Sequence, residues 1–121
     1  TAELLIKNKT YIKWSAGGLD VSTAAGLGPG LLKLLEKSGC NNVIIGAETG
    51  SKRLLTELKK NGTIEKLLNF NRRMNKYSIR PNYFFCVGFP GETSDDLKMT
   101  TKLILRLLKE NKKSSIAKIF C

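Results

Sequence analysis

At 121 residues and 13.4 kDa, with 41% hydrophobic and 26% charged residues, the chain has the size and composition of one globular domain, which excludes multi-domain, disordered and fibrous readings. Its 21 Lys and Arg against 10 Asp and Glu leave a net charge of +11, which concentrates anions without naming one, because the basic residues are spread over every segment. No apolar run approaches the roughly 20 residues of a bilayer span, and Cys40, Cys86 and Cys121, with no histidine in the chain, exclude zinc sites, disulfide scaffolds and histidine-dependent nucleophiles.

In chain order, residues 3–7 read as the end of a helix and residues 11–15 as a short strand rich in aromatic and β-branched character. Five of the eleven glycines fall in residues 17–30, which predicts a loop. A helix opens after Pro29-Gly30, gathers Leu31, Leu32, Leu34 and Leu35 towards one face, and stops at Gly39. Asn41-Asn42 reads as a turn, and the apolar run 43–47 as a strand buried on both faces. Ser51 is placed to cap a helix over residues 52–60 that Gly62 ends, and Thr63 to cap another carrying Ile64, Leu67, Leu68 and Met74. Residues 82–87 form the next strand. Thr93 or Ser94 then caps a long helix with Asp95 and Asp96 in its first turn and Leu97, Thr100 or Thr101, Ile104, Leu107 and Leu108 as its inner face. Residues 115–120 are a last strand.

Strands separated by helices require parallel pairing with right-handed crossovers, so the fold class is α/β: a partial TIM-type (β/α) barrel segment of about four parallel strands in sequential order. Ligands in such folds bind beyond the carboxyl ends of the strands. Two segments occupy those ends. In Ile45-Gly46-Ala47-Glu48-Thr49-Gly50-Ser51 a carboxylate is flanked by glycines that admit a close ligand; the alternative is that Glu48 pairs with a nearby lysine and Gly50 only turns the chain. In Val87-Gly88-Phe89-Pro90-Gly91-Glu92-Thr93 a rigid Pro-Gly turn joins strand to helix, and its plain alternative is a turn with Glu92 and Thr93 as caps.

Taken together, these two segments, with Leu54-Leu55, Lys59-Lys60-Asn61-Gly62-Thr63 and Ser94-Asp95-Asp96-Leu97 between and after them, resemble the radical S-adenosylmethionine (radical SAM) superfamily. The likeness is strongest to the branch with an N-terminal cobalamin-binding domain, and it spans residues 11–120. It implies a partial core domain covering about the third to sixth strands of the barrel. The family's C-x-x-x-C-x-x-C loop has no counterpart here, so the resemblance places the [4Fe-4S] ligands upstream and assigns this chain no metal-ligating and no catalytic residue. It also implies S-adenosylmethionine as cofactor, with cobalamin, on a domain outside these residues, left open. Glu48 would meet the ribose hydroxyls or the methionyl ammonium, and Lys60 the methionyl carboxylate, unless Lys60 is surface charge alone. Val87, Gly88 and Phe89 would offer backbone groups and an apolar surface to adenine, with Gly91 and Pro90 keeping that loop rigid, while Ser51 reads as a helix cap.

Two departures stand out. The family's Glu-Ser-Gly is Glu48-Thr49-Gly50, and an arginine often found after the W-x-A element at Trp14 is absent, with Gly18 near its place. The function implied is part of a radical SAM enzyme, inactive as these residues alone, whose partners are the missing N-terminal part of the same protein and an unidentified substrate. A methylthiotransferase acting on tRNA or protein, and a non-catalytic basic α/β binding module, are the alternatives. Nucleic acid stays open as a partner without being favoured, no membrane span is expected, and cysteine usage fits the cytoplasm.

Overall fold

The computed structural model describes residues 1–60 and 62–120. The elements are α1 (Ala2–Lys7), β1 (Trp14–Asp20), α2 (Val21–Ala25), α3 (Pro29–Lys37), β2 (Cys40–Glu48), α4 (Lys52–Glu57), α5 (Ile64–Arg73), a 3-10 turn (Met74–Lys76), β3 (Arg80–Cys86), α6 (Ser94–Glu110) and β4 (Ser115–Phe120). All four strands pair in parallel in the order β1-β2-β3-β4, as the strand–helix alternation requires.

Alternation along each strand sets two unlike faces. Val43, Ile45 and Ala47 of β2 and Tyr83 and Phe85 of β3 are buried against Leu67, Phe70, Leu103 and Leu107 of the helices. The intervening Ile44, Gly46 and Glu48, with Asn82, Phe84 and Cys86, face the other way and are half-buried. The apolar run 43–47 is therefore covered on one face only, because the described helices pack on that face.

Long-range pairing overrides local propensity in two places. Residues 17–30 are not a loop: β1 continues through Gly17 and Gly18 to Asp20, held by the pairs Leu19↔Ile45 and Asp20↔Gly46, and α2 and the start of α3 follow. The glycines enter the strand as a bulge, with Gly18 at φ +76°. Asn41-Asn42 is not a turn either. Gly39, at φ +94°, reverses the chain just before it, and the Cβ of any other residue there would stand 1.9 Å from the Ile12 carbonyl oxygen. Helix α4 ends at Glu57, short of residue 60.

On α6 the buried face is Asp96, Thr100, Leu103 and Leu107. Leu97 and Leu108, expected inside, are 41% and 37% exposed. Thr100 and Leu107 lie inside as expected and Ile104 packs partly buried against the core, but Asp96 takes the place given to Leu97, because it is buried through hydrogen bonds rather than hydrophobicity.

At the amino ends of the strands Asn71 joins α5 to β3, to α6 and to the segment that leads from α6 into β4. Its Oδ1 accepts from Tyr83 Oη (2.9 Å) and Ser114 Oγ (2.5 Å), its Nδ2 donates to the Leu107 carbonyl (2.9 Å), and its own carbonyl accepts from Asn111 Nδ2 (2.9 Å). Burial pushes the Tyr83 phenol well above its ordinary value, so it remains a donor. Asn71→Leu strands the Tyr83 and Ser114 hydroxyls in the core, and at about 1–3 kcal/mol for each unpaired group it should lower the urea-unfolding free energy by about 3 kcal/mol or more. A loss under about 1 kcal/mol would show that these groups find other partners.

Candidate functional site

Glu48 ends β2 at φ +67°, in the left-handed region, where a bulge between Gly46 and Glu48 breaks the register with β3. Its carboxylate folds back over Gly46, where an added Cβ would lie 3.0 Å from Glu48 Oε1. The glycine two residues before the carboxylate thus makes room for it. Lys60 Nζ lies 3.4 Å from Oε1, and Cys86 Sγ donates to Oε2 at 3.4 Å. Burial, and then the neighbouring carboxylate, push the Cys86 thiol up, so it stays protonated.

The energetics do not make this arrangement a stability device. A non-glycine residue in that backbone region costs roughly 1–3 kcal/mol. The ion pair, with the Lys60 side chain 45% exposed, returns at most about 1 kcal/mol. Strain held at a strand end beside a partly open charge pair makes Glu48 a candidate binding residue.

Two clefts flank Glu48. The larger, about 340 Å³, lies on the sheet face opposite the helices and is bounded by Gly18, Asp20, Glu48, Lys60, Phe84 and Cys86. The smaller, about 110 Å³, lies on the other side of Glu48, towards Thr49, Lys59 and Leu67. Asp20 borders both. Its Oδ1 accepts from the Thr23 amide at 2.6 Å, which caps α2 and holds its carboxyl below the usual range. Sequence reading missed Asp20 and Cys86. The signal for Asp20 was its capping spacing to Thr23; for Cys86 it was its place one residue before the Val87-Gly88 segment.

Behind the rim, a buried polar network locks the segment after β2 to α6. Thr100 Oγ1 donates to the Asp96 carbonyl (3.1 Å) and accepts from the Gly50 amide (2.9 Å). Having spent its one proton, it must accept again from Thr49 Oγ1 at 3.1 Å, which leaves Thr49 to accept from the Ser51 amide. Ser51 Oγ donates to Asp96 Oδ1 (2.5 Å) and accepts from the Leu54 amide, so it caps α4. Asp96 Oδ2 takes the Thr93 amide (2.8 Å), the Thr93 hydroxyl (2.9 Å) and the Arg53 guanidinium. Gly50 is pressed against α6, with the Thr100 Cα 2.7 Å from where a Cβ would sit.

The structure joins Glu48 to Lys60 directly. Val87, Gly88, Phe89 and Gly91 follow β3 at the same rim but are not among the residues bounding either cleft. Their loop turns at Gly88 (φ +87°) and Gly91 (φ +77°), is closed by the Glu92 amide donating to the Phe89 carbonyl (2.9 Å), and is tied to α4 by Arg53 Nη2 donating to the Gly91 carbonyl (2.9 Å).

The model of the radical SAM superfamily matches residues 2–104. The chain belongs to this superfamily. Among its relatives, an uncharacterized protein of Methanopyrus kandleri is 35% identical over 65 residues, 54% of this chain and 12% of that protein. A tRNA-2-methylthio-N(6)-dimethylallyladenosine synthase of Pseudoalteromonas translucida is 41% identical over 61 residues, 47% of this chain and 12% of that protein. An uncharacterized methyltransferase of Pyrococcus horikoshii is 27% identical over 95 residues, 74% of this chain and 21% of that protein. This radical SAM chain therefore spans about an eighth to a fifth of the length of these relatives. Its fold superposes with a TM-score of 0.72, at 17% identity, on 88% of this chain and 22% of the radical S-adenosylmethionine methyltransferase TsrM from Kitasatospora setae.

The superfamily implies an iron–sulfur cluster, and the described residues do not fit one. Cys40 is buried at the amino end of β2 and Cys86 lies at the carboxyl end of β3; no group of three His, Cys, Asp or Glu among the described residues could hold a metal ion. Among the described residues, no helix is long and apolar enough to cross a membrane.

Two outcomes test the network. Thr100→Val leaves the Gly50 amide and Thr49 hydroxyl without their acceptor and should cost about 1–3 kcal/mol in chemical denaturation, against little change for the exposed Thr101→Val. Hydrogen bonds from Ser51 and Thr93 and the Arg53 charge hold the Asp96 carboxyl well below its usual range. Its stabilising contribution is accordingly complete above the unfolded-state value near 4 and is lost as pH falls from there towards the depressed native value. Melting curves from pH 6 down to about 2 should therefore fall more steeply for the wild type than for Asp96→Asn. Parallel curves would show that folding does not shift the Asp96 carboxyl.

Proposed function

We propose that this chain forms the S-adenosylmethionine-binding wall of a radical SAM enzyme, with Glu48 and Lys60 taking the amino-acid end of the ligand. The observation that carries the reading is the Glu48–Lys60 pair at 3.4 Å, one carboxylate and one ammonium, half-exposed at the carboxyl end of a parallel strand. An α-amino acid presents the complementary ammonium and carboxylate and can replace each partner of the pair by the other's equivalent in the ligand. Cys86 holds the second Glu48 oxygen, so the carboxylate plane keeps its direction when Lys60 turns to the ligand. Val87, Gly88, Phe89 and Gly91 are assigned to the adenine end, at the same rim.

On this reading the 121 residues are the third to sixth strands of the core barrel, and the rest of the same polypeptide is their partner. Electron supply to the ligand belongs to groups that the described residues do not hold; this chain binds and orients. Methyl transfer with cobalamin is the favoured chemistry, supported by the fold shared with TsrM, itself solved with cobalamin and a [4Fe-4S] cluster. A methylthiotransferase acting on tRNA is the second reading, supported by the 41% identity to the Pseudoalteromonas translucida synthase and by the net charge of +11.

Calorimetric titration with S-adenosylmethionine of the full-length polypeptide that contains these residues tests the site. Glu48→Gln keeps the shape and removes the charge, and should weaken binding by about tenfold, the scale of one charge-assisted hydrogen bond. Unchanged affinity with a native melting curve would make Glu48 a structural residue and overturn the assignment.

A further inference from the structure

We propose that Asp20 is a second ligand-reading carboxylate of the larger cleft, distinguishing a cationic sulfonium ligand from its neutral thioether analogue. The inference rests on the S-adenosylmethionine reading above. Asp20 reaches the rim because the Gly17-Gly18 bulge advances β1 against β2 and sets Asp20 beside Gly46. Gly18 and Gly46 carry no side chains, which leaves the space between Asp20 and Glu48 open.

Charge counting points to the ligand. Among the described residues, Asp20, Glu48 and Lys60 are the charged ones bounding the larger cleft, two negative and one positive; Lys59 borders only the smaller one. Cys86, its thiol pushed up, adds none. S-adenosylmethionine carries the inverse set: an ammonium, a carboxylate and a sulfonium. With Glu48 and Lys60 engaged by the amino-acid end, Asp20 is the charge left among the described residues of the cleft, and the sulfonium is the charge left on the ligand. Capping α2 does not explain the choice of residue, since asparagine or serine caps a helix as well as aspartate does. The negative charge is in excess of what the fold needs, and it stays ionised because the Thr23 amide holds its carboxyl low.

Asp20→Asn tests this, since it retains the cap and removes only the charge; Asp20→Ser, which also caps, serves as its duplicate. Each is titrated, in the full-length polypeptide that contains these residues, with S-adenosylmethionine and with S-adenosylhomocysteine, which has the same amino-acid and adenosine ends but no sulfonium. Both variants should bind S-adenosylmethionine about threefold to fivefold more weakly, the scale of a partly solvated charge pair, with S-adenosylhomocysteine unchanged. Glu48→Gln, which faces the part common to both ligands, should weaken both. Equal loss for the two ligands in the Asp20 variants, or no loss for either while the wild type binds both, overturns the role of Asp20 and leaves the site reading intact. Failure of the wild type to bind either ligand overturns both together.

Discussion

The rim of this sheet depends on one buried carboxylate. Asp96 sits in the first turn of α6, yet its partners are Ser51 and Arg53 at the start of α4 and Thr93 at its own cap. An ionised group so nearly enclosed is tolerated only if every lone pair is matched, and here hydroxyls, an amide and a guanidinium match them. One consequence is that the segments following β2 and β3 cannot move independently. Arg53 extends the link to the Gly91 carbonyl, so the Gly88–Glu92 turn hangs from the same anchor.

That anchor lets the neighbouring residue be strained. Glu48 keeps a left-handed backbone at the end of a strand because Thr49, Gly50 and Ser51, directly after it, are clamped to Thr100 and Asp96. Gly50 is required by contact rather than by conformation, since the α6 backbone occupies the place of a side chain. Gly46 lets the Glu48 carboxylate lie close, since an added Cβ 3.0 Å from Oε1 would make the carboxylate shift. In the pattern glycine, any residue, glutamate, any residue, glycine, the second glycine thus answers to the α6 backbone and the first to the folded-back carboxylate.

The same construction divides labour between the two faces of the sheet. Val43, Ile45, Tyr83 and Phe85 bind the helices and carry stability. Glu48, Phe84 and Cys86, displaced by one residue along the same strands, bound the larger cleft. The period of two along a strand lets one short segment pack on one face and line a cleft on the other. Further towards the amino ends, side chains of Asn42, Asn82 and Ser115 hydrogen-bond across three adjacent strands on that same face, so it is polar there rather than a packed apolar core.

Much of this was legible in the sequence. The alternation of strands and helices determined a parallel sheet in sequential order, Ser51, Thr63 and Thr93 announced their helices, and Glu48 stood out as a carboxylate between glycines at a strand end. These readings hold because capping, turning and period-two alternation act over a few residues. What only the tertiary structure decided are properties of distant pairs: β1 running on through two glycines because β2 lies beside it, Asp20 arriving at Gly46, Cys86 meeting a carboxylate 38 positions earlier, and α6 turning Asp96 and Thr100 inward towards partners 43 to 51 positions away. A polar side chain is buried only where its partners are, and no local pattern records where the fold will bring them.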